Sequence, residues 1–407
     1  MAWLPPADAE GEGRQQPRTN LQVCLWRTHV PGEREALKQL VFSFQRANPD
    51  VVIALEWQDA ELAGEYVRRW LGSYRSHAPD VTVLPDLWAW EHRNELMPLP
   101  RDLVLRLRRQ CESSVVDRAG GALRGVPWTV STLALYYRPD LLEEAELEVP
   151  ATPAELVTCA DELADPPGRF GLGVPAPGRG CEELVHALTW AQGPAEDVEG
   201  DARYLPGIDL LVDLQSRGAV QPEVLTWSET ELVELFADGR LGLLIARPWA
   251  ARILEEKDAE RDRLAAAAEA EEKPEPPPPL PWAVAPLPLA EDGSGQVQVE
   301  WLVTFADTDR PHVAGRFLRF IAGGECQRTL AALYGVPAIS RHRRQFADDP
   351  RWAGHVATLP GAAGLPLGEW KPVRQRLGQA LRWTLSGRLS AAEALLEAGT
   401  QEDEEGA

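Results

Sequence analysis

The stretch that most constrains this chain is Gly125–Leu142, which reads GVPWTVSTLALYYRPDLL. Gly125, which tolerates a positive φ, and Pro127, which fixes its own φ, predict a turn at its start. The run Val130–Tyr137 that follows is apolar and rich in β-favouring residues, with too few polar positions for a strand that faces solvent. An Arg-Pro-Asp sequence then ends the run. We therefore predict one long buried strand through the middle of an α/β molecule.

Strand and helix patterns alternate upstream of this stretch. Strand patterns occupy Leu21–Trp26, Val51–Trp57 and Val81–Leu84. Amphipathic helix patterns occupy Glu33–Ala47 and about Ala60–Tyr74 between them. Alternation of this kind predicts a parallel sheet with helices on its faces.

The remaining elements follow the same rules of periodicity and turn chemistry. We predict further helices over 152–163, 182–192, 206–217, 228–237, 314–321, 324–334, 377–385 and 390–396, and strands over 241–245 and 282–289.

Three segments do not read as packed structure. Residues 1–20 are polar and contain Gly and Pro, which predicts disorder, and residues 398–407 form an acidic tail. Residues 255–281 are charged and Ala-rich and then Pro-rich, which predicts a solvated helix running into a polyproline-type insertion. A docking peptide for a Pro-binding module is the alternative for this Pro-rich insertion.

Length and charge narrow the function classes. A chain of 407 residues holds two or three domains with ample core. The formal net charge of −22 argues against nucleic acid or an anionic membrane as the main partner, although local Arg residues are able to receive an anionic substrate. No apolar run approaches the length of about 18 residues that a membrane-spanning helix needs.

The five cysteines lie at 24, 111, 159, 181 and 326, with no C-x-x-C pair among them. Each lies in an apolar or helical context, so we predict buried thiols, with a structural disulfide as the alternative.

No catalytic constellation is visible in the sequence. The chain lacks H-E-x-x-H, G-x-S-x-G, Walker A and D-x-D-x-D-G motifs, and its seven histidines are scattered. With 63 acidic residues, pairs of carboxylates arise by chance and indicate nothing. We therefore expect a protein that is not an enzyme and that needs neither a cofactor nor a metal.

Four motifs in order resemble one known family. Besides Gly125–Leu142 they are Val149–Leu156, Phe236–Trp249, and a late group made of Pro286–Pro288, Trp301–Phe305 and Ala314–Phe320. Together they resemble the extracytoplasmic solute-binding proteins of ABC importers, the maltose-binding-protein-like group, over about residues 20–400. The chain departs from that family's pattern at two residues, where it has Arg138 in place of Asn and Arg247 in place of Gly.

The resemblance implies a two-lobe periplasmic-binding-protein fold of type II. Each lobe would be a mainly parallel sheet flanked by helices, and the chain would cross between lobes near 130–134, 283–288 and 341–347. Lobe 1 would then comprise 21–132 with 284–343, and lobe 2 would comprise 133–283 with 344–397. A cleft between two hinged lobes is the natural place for a ligand.

Tryptophan is the informative residue type for such a cleft. A sugar ring presents apolar C–H faces to an indole, while carboxylates and guanidinium groups satisfy its hydroxyls. Several of the 15 tryptophans fall in turns or at strand ends, where an α/β sheet places its ligand. The candidate ligand-binding residues are Trp26, Trp88, Trp128, Trp249, Trp301, Trp370, Asp86, Arg247 and Glu300.

For each of these residues the alternative is a purely structural role, because a single Trp often lies in the hydrophobic core and an Arg often lies at the surface. By resemblance, Trp249 and Trp370 are the aromatic residues that contact sugar in relatives. Asp86 and Trp88 match a family loop that supplies an acid and an aromatic ring. Arg247, like Arg27 near the end of the first strand, also suits a phosphate or carboxylate.

These observations predict the substrate-binding component of an ABC-type importer that closes on a small polar solute, first of all a sugar or oligosaccharide. Its partners would be the importer's permease subunits, and it would act as a monomer. The resemblance implies a periplasmic or extracytoplasmic location. The first twenty residues carry neither a signal peptide nor a lipoprotein-type Cys, so a cytoplasmic sensor or interaction module that kept the fold is the alternative.

Overall fold

The structure is a computed structural model that describes residues 18–27, 30, 32–59, 62–71, 78–116, 123–193, 198–270 and 280–405. Four predictions lie wholly or partly outside these residues: disorder over residues 1–17, a role for the Arg27 side chain, the polyproline character of 271–279, and the end of the acidic tail. The predicted disorder of residues 1–20 is wrong for Thr19 and Asn20, which belong to the first strand.

Strands in the described part of the chain are numbered in order. They are β1 Thr19–Arg27, β2 Val51–Asp59, β3 Val81–Pro85, β4 Gly125–Thr132, β5 Ala134–Tyr137, β6 Phe170–Gly173, β7 Leu241–Ala246, β8 Ala283–Pro286, β9 Gln296–Thr304 and β10 Ala363–Gly364.

Helices are numbered in the same way, and most lie where the periodicity predicts them. They are α1 Glu33–Ala47, α2 Ala63–Leu71, α3 Asp86–Glu91, α4 Arg101–Gln110, α5 Ser113–Val116, α6 Pro139–Glu144, α7 Pro153–Glu162, α8 Cys181–Ala191, α9 Leu205–Ser216, α10 Glu229–Ala237, α11 Trp249–Ala270, α12 Pro311–Ile321, α13 Gly324–Tyr334, α14 Arg343–Ala347, α15 Ala353–Thr358, α16 Trp370–Leu385 and α17 Ala391–Glu405. Short 3₁₀ turns occupy Gly200–Tyr204 and Ser340–His342.

The first sheet has the order β10-β9-β3-β1-β2, and a sixth strand, β4, also pairs with β9. The strands β1, β2 and β3 run parallel, as the alternation of strands and helices predicts. Both β3 and β4 run antiparallel to β9, so this sheet is mixed. We call this sheet and the helices packed on it lobe 1.

The second sheet has the order β6-β7-β5-β8, and with its helices it forms lobe 2. Only β6 and β7 are parallel, while β5 runs antiparallel to both β7 and β8. The expectation of a mainly parallel sheet is therefore wrong for lobe 2. The reason is that β5 and β8 are the ends of crossovers between lobes and not steps of a repeated strand–helix–strand unit.

The central stretch is two strands and not the single long strand that its composition predicts. Leu133 separates β4, which belongs to lobe 1, from β5, which belongs to lobe 2. Thr132 is the last residue paired to the first sheet, and Ala134 is the first residue paired to the second. The chain therefore crosses between lobes at Leu133, within the predicted 130–134.

The turn predicted at Gly125 is also absent, because Gly125 is the first residue of β4 and is not among the glycines with positive φ. A Cβ atom at this position would lie 2.9 Å from both Trp301 Cβ and Val303 Cγ1. Glycine is needed here because β4 lies too close to β9 for a side chain, and not because of its backbone freedom.

The other crossings refine the predicted lobe boundaries. The strand β8 pairs with the second sheet and β9 with the first, so the second crossing lies between Pro286 and Gln296, later than residue 284. The third lies between Ile339, which bridges to Cys111 in lobe 1, and Phe346 in the core of lobe 2. The stretch after 344 also returns briefly to lobe 1, since β10 pairs with β9.

Three hydrophobic clusters form the interior. One fills lobe 1 around β1, β3, β4 and β9, and the other two lie in lobe 2 and include side chains of β5, β6 and β7. At the C-terminus, α17 continues to Glu405, where the sequence predicts an acidic tail.

All five cysteines are unbridged and buried, which confirms the prediction of buried thiols. Burial raises the pKa of the Cys24 and Cys111 thiols to about 12, so both resist ionisation and behave as small apolar groups. Among the described residues, no helix is both long and apolar enough to cross a membrane.

Candidate functional site

A cavity of about 150 Å³ opens in lobe 1. An engineered cavity of about this volume in another protein holds one benzene ring, so the space suits a single six-membered ring. It lies at the carboxyl ends of β1 and β3, beside the first residues of α1 and α2, where α/β sheets bind ligands. Its described lining residues are Leu25, Trp26, Glu33, Leu37, Ala63, Val83, Pro85, Trp88, Trp128, Glu300 and Tyr334.

Four aromatic side chains form much of the wall of this pocket. Trp26 is held in place because its Nε1 donates to the Val83 carbonyl oxygen at 2.6 Å and its ring stacks on Trp70 at 5.7 Å between centroids. Trp128 hydrogen-bonds through its side chain to Tyr334. The rings of Trp26 and Trp128 are therefore held in a fixed orientation without a ligand, which reduces the entropy cost of binding.

Two carboxylates lie among the rings. Glu33, the first residue of α1, accepts a hydrogen bond from the Tyr334 hydroxyl at 2.6 Å, and Glu300 of β9 accepts one from the Thr129 hydroxyl at 2.9 Å. Burial raises the pKa of the Glu300 carboxyl, and the charges of Glu33 and Asp86 raise it further, against the opposing charge of Arg247. Within the described chain, no group of three or more His, Cys, Asp or Glu side chains has a geometry that suits a metal ion.

Asp86 does not line the pocket, although the sequence places it among the ligand-binding candidates. Its Oδ1 accepts from Trp301 Nε1 at 2.6 Å and its Oδ2 from the Val299 backbone N–H at 3.1 Å. Asp86 is 6% exposed and Trp301 is 4% exposed. The pair therefore fixes α3 to β9 and supports the wall that Trp88 and Glu300 present to the cavity.

Arg247 and Trp249 lie at the boundary between the lobes, just after β7. Arg247 is ion-paired with Glu229 of lobe 2, and its Nε donates to Gln298 Oε1 of β9 in lobe 1 at 3.3 Å. Trp249 packs against the cores of both lobes. Neither residue is among those that line the cavity, although Arg247 lies close enough to oppose the rise in the pKa of Glu300.

Trp370 requires a correction, because its ring is buried in lobe 2. The side chain is 1% exposed and packs edge-on against His186 and Tyr204, with centroid distances of 5.5 and 6.5 Å. Trp370 is the first residue of α16, and its ring points into the core that α8, α9 and α16 share. A ring enclosed in this way is a packing element and offers no face to a ligand.

The structure therefore brings four of the nine candidates together in one pocket: Trp26, Trp88, Trp128 and Glu300. Glu33 and Tyr334 also line the pocket but are not among the candidates chosen from the sequence. Glu33 did carry a signal, because an acid at the start of the helix after β1 must lie near the carboxyl end of that strand. Tyr334 carried none, since it reaches the pocket only through the packing of α13 against lobe 1.

A second polar cluster spans the first crossing between the lobes. His355 of α15 is fully buried, with Nδ1 3.1 Å from the Thr132 carbonyl oxygen and Nε2 2.9 Å from the Tyr136 hydroxyl. The same hydroxyl donates to the Arg247 carbonyl oxygen at 3.1 Å. Burial lowers the pKa of His355 to about 3, so the ring is neutral at pH 7. This hinge cluster connects the crossover strands to the segment that carries Arg247.

Comparison with known proteins gives a family and a fold. A family model described as bacterial extracellular solute-binding protein matches residues 43–355, more than half of the chain. No curated protein matches the chain in sequence.

Among the solved structures with a similar architecture, the following three each have low sequence identity to this chain. The GacH receptor of Streptomyces glaucescens, solved without ligand and with acarbose, is 20% identical with a TM-score of 0.74 over 95% of this chain and 98% of that chain. Maltose-bound MalE3 of T. maritima is 19% identical with a TM-score of 0.75 over 94% and 98%. MalE of Xanthomonas citri is 21% identical with a TM-score of 0.73 over 95% and 97%. These likenesses establish a two-lobe binding-protein fold for this chain.

Proposed function

The chain belongs to the family of bacterial extracellular solute-binding proteins, and from this premise we propose that it binds a sugar or oligosaccharide for an ABC-type importer. It would act outside the cytoplasm, deliver its solute to the importer's permease subunits, and carry out no catalysis.

The observation that carries this proposal is the pocket of lobe 1. Trp26, Trp88 and Trp128 offer indole surface to the C–H faces of a ring, and Glu33 and Glu300 offer carboxylate oxygens to its polar groups. A cavity with apolar walls and a few fixed polar groups is typical of small-ligand sites. The named ligands of the similar structures, acarbose and maltose, are compatible with this chemistry.

The proposed mechanism is closure about the hinge. The pocket belongs to lobe 1, while Arg247 and Trp249 approach it from lobe 2. A ligand that contacts both sides binds the closed form more tightly than the open form. Binding then shifts the population of conformations toward the closed form, which the permease subunits would recognise.

Thermal unfolding with a panel of ligands tests this function. A ligand that binds only the folded chain at about 100 times its dissociation constant adds about 2.7 kcal/mol to the free energy of unfolding. We expect at least one member of a panel of monosaccharides, maltodextrins and phosphorylated sugars to raise the melting temperature. A panel that leaves the melting temperature unchanged throughout would contradict sugar binding.

A pair of tryptophan variants tests whether the pocket is the site. Trp88→Ala removes a half-buried ring from the pocket wall, and we expect it to abolish the ligand-induced shift. Trp57→Ala is the matched control, because Trp57 is also half-buried against the lobe 1 core and is not among the lining residues. Equal shifts in the two variants would locate the ligand elsewhere.

A further inference from the structure

The short helix α3 belongs to lobe 1 and carries part of the pocket wall. Its first residue, Asp86, accepts hydrogen bonds from Trp301 and Val299 of β9. Trp88 and Ala89 pack against the lobe 1 core, and Trp88 also lines the cavity. The position of α3 therefore determines where the Trp88 ring lies.

The same helix also contacts lobe 2. Leu87 is half-buried and packs against the lobe 2 core. Glu91 is ion-paired with Lys371 in the first turn of α16, with 3.8 Å between Oε1 and Nζ. A Cβ atom placed at Gly368, just before α16, would lie 3.8 Å from Trp90 Nε1, which is van der Waals contact. Three residues of a lobe 1 helix therefore reach lobe 2.

Helical geometry explains how α3 serves both lobes. Leu87, Trp90 and Glu91 are spaced i, i+3 and i+4, so their side chains leave the same face of the helix. Trp88 follows Leu87 by one residue and is therefore rotated from it by about 100° around the helix axis. One face of α3 thus meets lobe 2 while Trp88 lines the pocket of lobe 1.

This contact lies away from the hinge. Along β9, Glu300 pairs with Pro85, the residue before α3, whereas Val297 pairs with Thr132, the last residue before the crossing at Leu133. Three residues of a strand span about 10 Å. Opening of the lobes about the crossing must therefore carry α3 away from lobe 2.

We propose that this face of α3 is an interlobe clasp, which forms when the lobes close and separates when they open. The clasp comprises Leu87, Trp90 and Glu91 of lobe 1 and Gly368 and Lys371 of lobe 2. A solute that packs on the pocket face of α3 stabilises the helix where the clasp forms, so filling the pocket and closing the lobes favour one another. Leu87 and Glu91 are then positioning residues, which act on the solute only through α3.

The apolar and ionic contacts of the clasp have different roles. Burial of the Leu87 side chain against lobe 2 supplies a hydrophobic attraction that exists only while the lobes touch. The side chain of Lys371 is 68% exposed, and an exposed ion pair changes an equilibrium constant by about five-fold at most. The pair with Glu91 therefore aligns the contact more than it strengthens it. This inference rests on the proposed function, because closure over a solute is the event that the clasp serves.

Carbodiimide cross-linking of the full chain without a sugar measures how often the clasp is formed. The reagent joins a carboxylate to an amine that is already in contact with it, so Glu91 and Lys371 should become linked. Glu35 and Lys38 of α1, whose charged atoms lie 3.5 Å apart, are an internal reference that does not depend on closure. Peptide mass spectrometry gives the ratio of the two cross-links.

A serine substitution tests the apolar part of the clasp. Leu87→Ser removes the hydrophobic contact with lobe 2 and should lower the cross-link ratio at least about three-fold. Leu55→Ser is the matched control and should keep the parental ratio, because Leu55 is also half-buried but packs against the lobe 1 core. A ratio that is unchanged in Leu87→Ser, or lowered equally in both variants, would overturn the clasp.

A charge reversal tests the clasp in a way that a general loss of stability cannot imitate. Lys371→Glu places two carboxylates together, so we expect a larger radius of gyration for the sugar-free chain in small-angle X-ray scattering. The double variant Glu91→Lys with Lys371→Glu restores opposite charges and should return the radius to the parental value. A single reversal without effect, or a double variant as expanded as the single one, would contradict the clasp.

The outcomes separate the clasp from the proposed function. Neither measurement uses a sugar, so a failure in either one overturns the clasp and leaves sugar binding standing. A panel of sugars that leaves the melting temperature unchanged overturns the proposed function and does not alter the cross-link ratio or the effect of the charge reversal.

Discussion

At the scale of single residues, Asp86 illustrates how a predicted ligand contact becomes part of the support. Both carboxyl oxygens accept hydrogen bonds from β9, one from the Trp301 indole and one from the Val299 backbone. A carboxylate offers acceptors only, so it suits two N–H donors.

We predict that Asp86→Asn destabilises the chain by about 1–3 kcal/mol, because the amide group cannot accept at both positions and leaves a buried N–H without its partner. Urea unfolding of the variant and the parent measures this cost. If the variant is as stable as the parent but binds ligand more weakly, Asp86 contacts the ligand, as the sequence predicts, and does not act as structural support.

His355 makes a second prediction at this scale, through the pH dependence of stability. Its pKa is lowered to about 3 in the folded chain, against about 6.5 when unfolded. Between these values the unfolded chain binds the extra proton, so stability falls as the pH falls, by up to about 1.4 kcal/mol per pH unit. From pH 7.5 to pH 5 the stability lost through this proton is about 2 kcal/mol.

We expect His355→Gln to be less stable than the parent at pH 7.5, because the hinge cluster loses contacts. When the pH is lowered from 7.5 to 5, the free energy of unfolding of the variant should fall by about 2 kcal/mol less than that of the parent. His312→Gln is the control, since His312 is exposed. Urea unfolding at the two pH values measures both differences. Equal losses in parent and His355→Gln would show that His355 does not titrate in this way.

The residue scale also shows what the sequence can and cannot predict about a site. In the sequence, Trp128 precedes the predicted central strand and Trp370 precedes a predicted helix, so both carry the same chemical argument. Trp128 lines the pocket, while Trp370 is enclosed by His186 and Tyr204. The difference depends on which helices pack around each ring, and that long-range packing leaves no local pattern in the sequence.

At the scale of elements, the contact between β4 and β9 determines the wall of the pocket. Trp128 and Glu300 come from these two strands, and Gly125 permits their close approach. We predict that Gly125→Ala costs about 1–3 kcal/mol in stability, because the new methyl group overlaps Trp301 and Val303.

Gly399→Ala is the matched control for this substitution. No atom lies within 4 Å of a Cβ placed at Gly399 in α17, and alanine is favoured over glycine in a helix by about 0.5–1 kcal/mol. It should therefore be neutral or stabilising in the same unfolding measurement. A Gly125→Ala variant that behaves like this control would contradict the close approach of the strands.

Some boundaries of helices and strands could be predicted from the sequence and others could not. The bounds of α1 follow from amphipathic periodicity, and α7 begins with a capping box between Thr152 and Glu155 that the sequence displays. The break at Leu133 was not predictable, because the residues on both sides of it are apolar and favour β structure equally. Only the pairing of β4 and β5 with different sheets separates them.

At the scale of the whole molecule, the two lobes meet along crossovers that the hinge cluster holds together. Closure on a ligand brings Arg247 and Trp249 nearer the pocket, so the molecule should become more compact. We predict that small-angle X-ray scattering shows a smaller radius of gyration with saturating ligand than without it. An unchanged radius at saturation would argue for binding to lobe 1 alone, without closure.

The resemblance to a known family contributed most to predicting the division of the chain into two lobes. Four motifs in order indicated two lobes and the positions of their crossings, which periodicity alone does not provide. The direction of the strands in lobe 2 was not predictable from those motifs, because β5 and β8 are crossover ends whose neighbours are distant in sequence.

The central claim is that the aromatic, acidic pocket of lobe 1 binds a sugar, and calorimetric titration of the full chain tests it most directly. The account predicts saturable one-to-one binding of at least one sugar, and loss of that binding in Trp88→Ala but not in Trp57→Ala. A folded parent chain that releases no heat of binding with any sugar, or a Trp88→Ala variant that binds as the parent does, would contradict it.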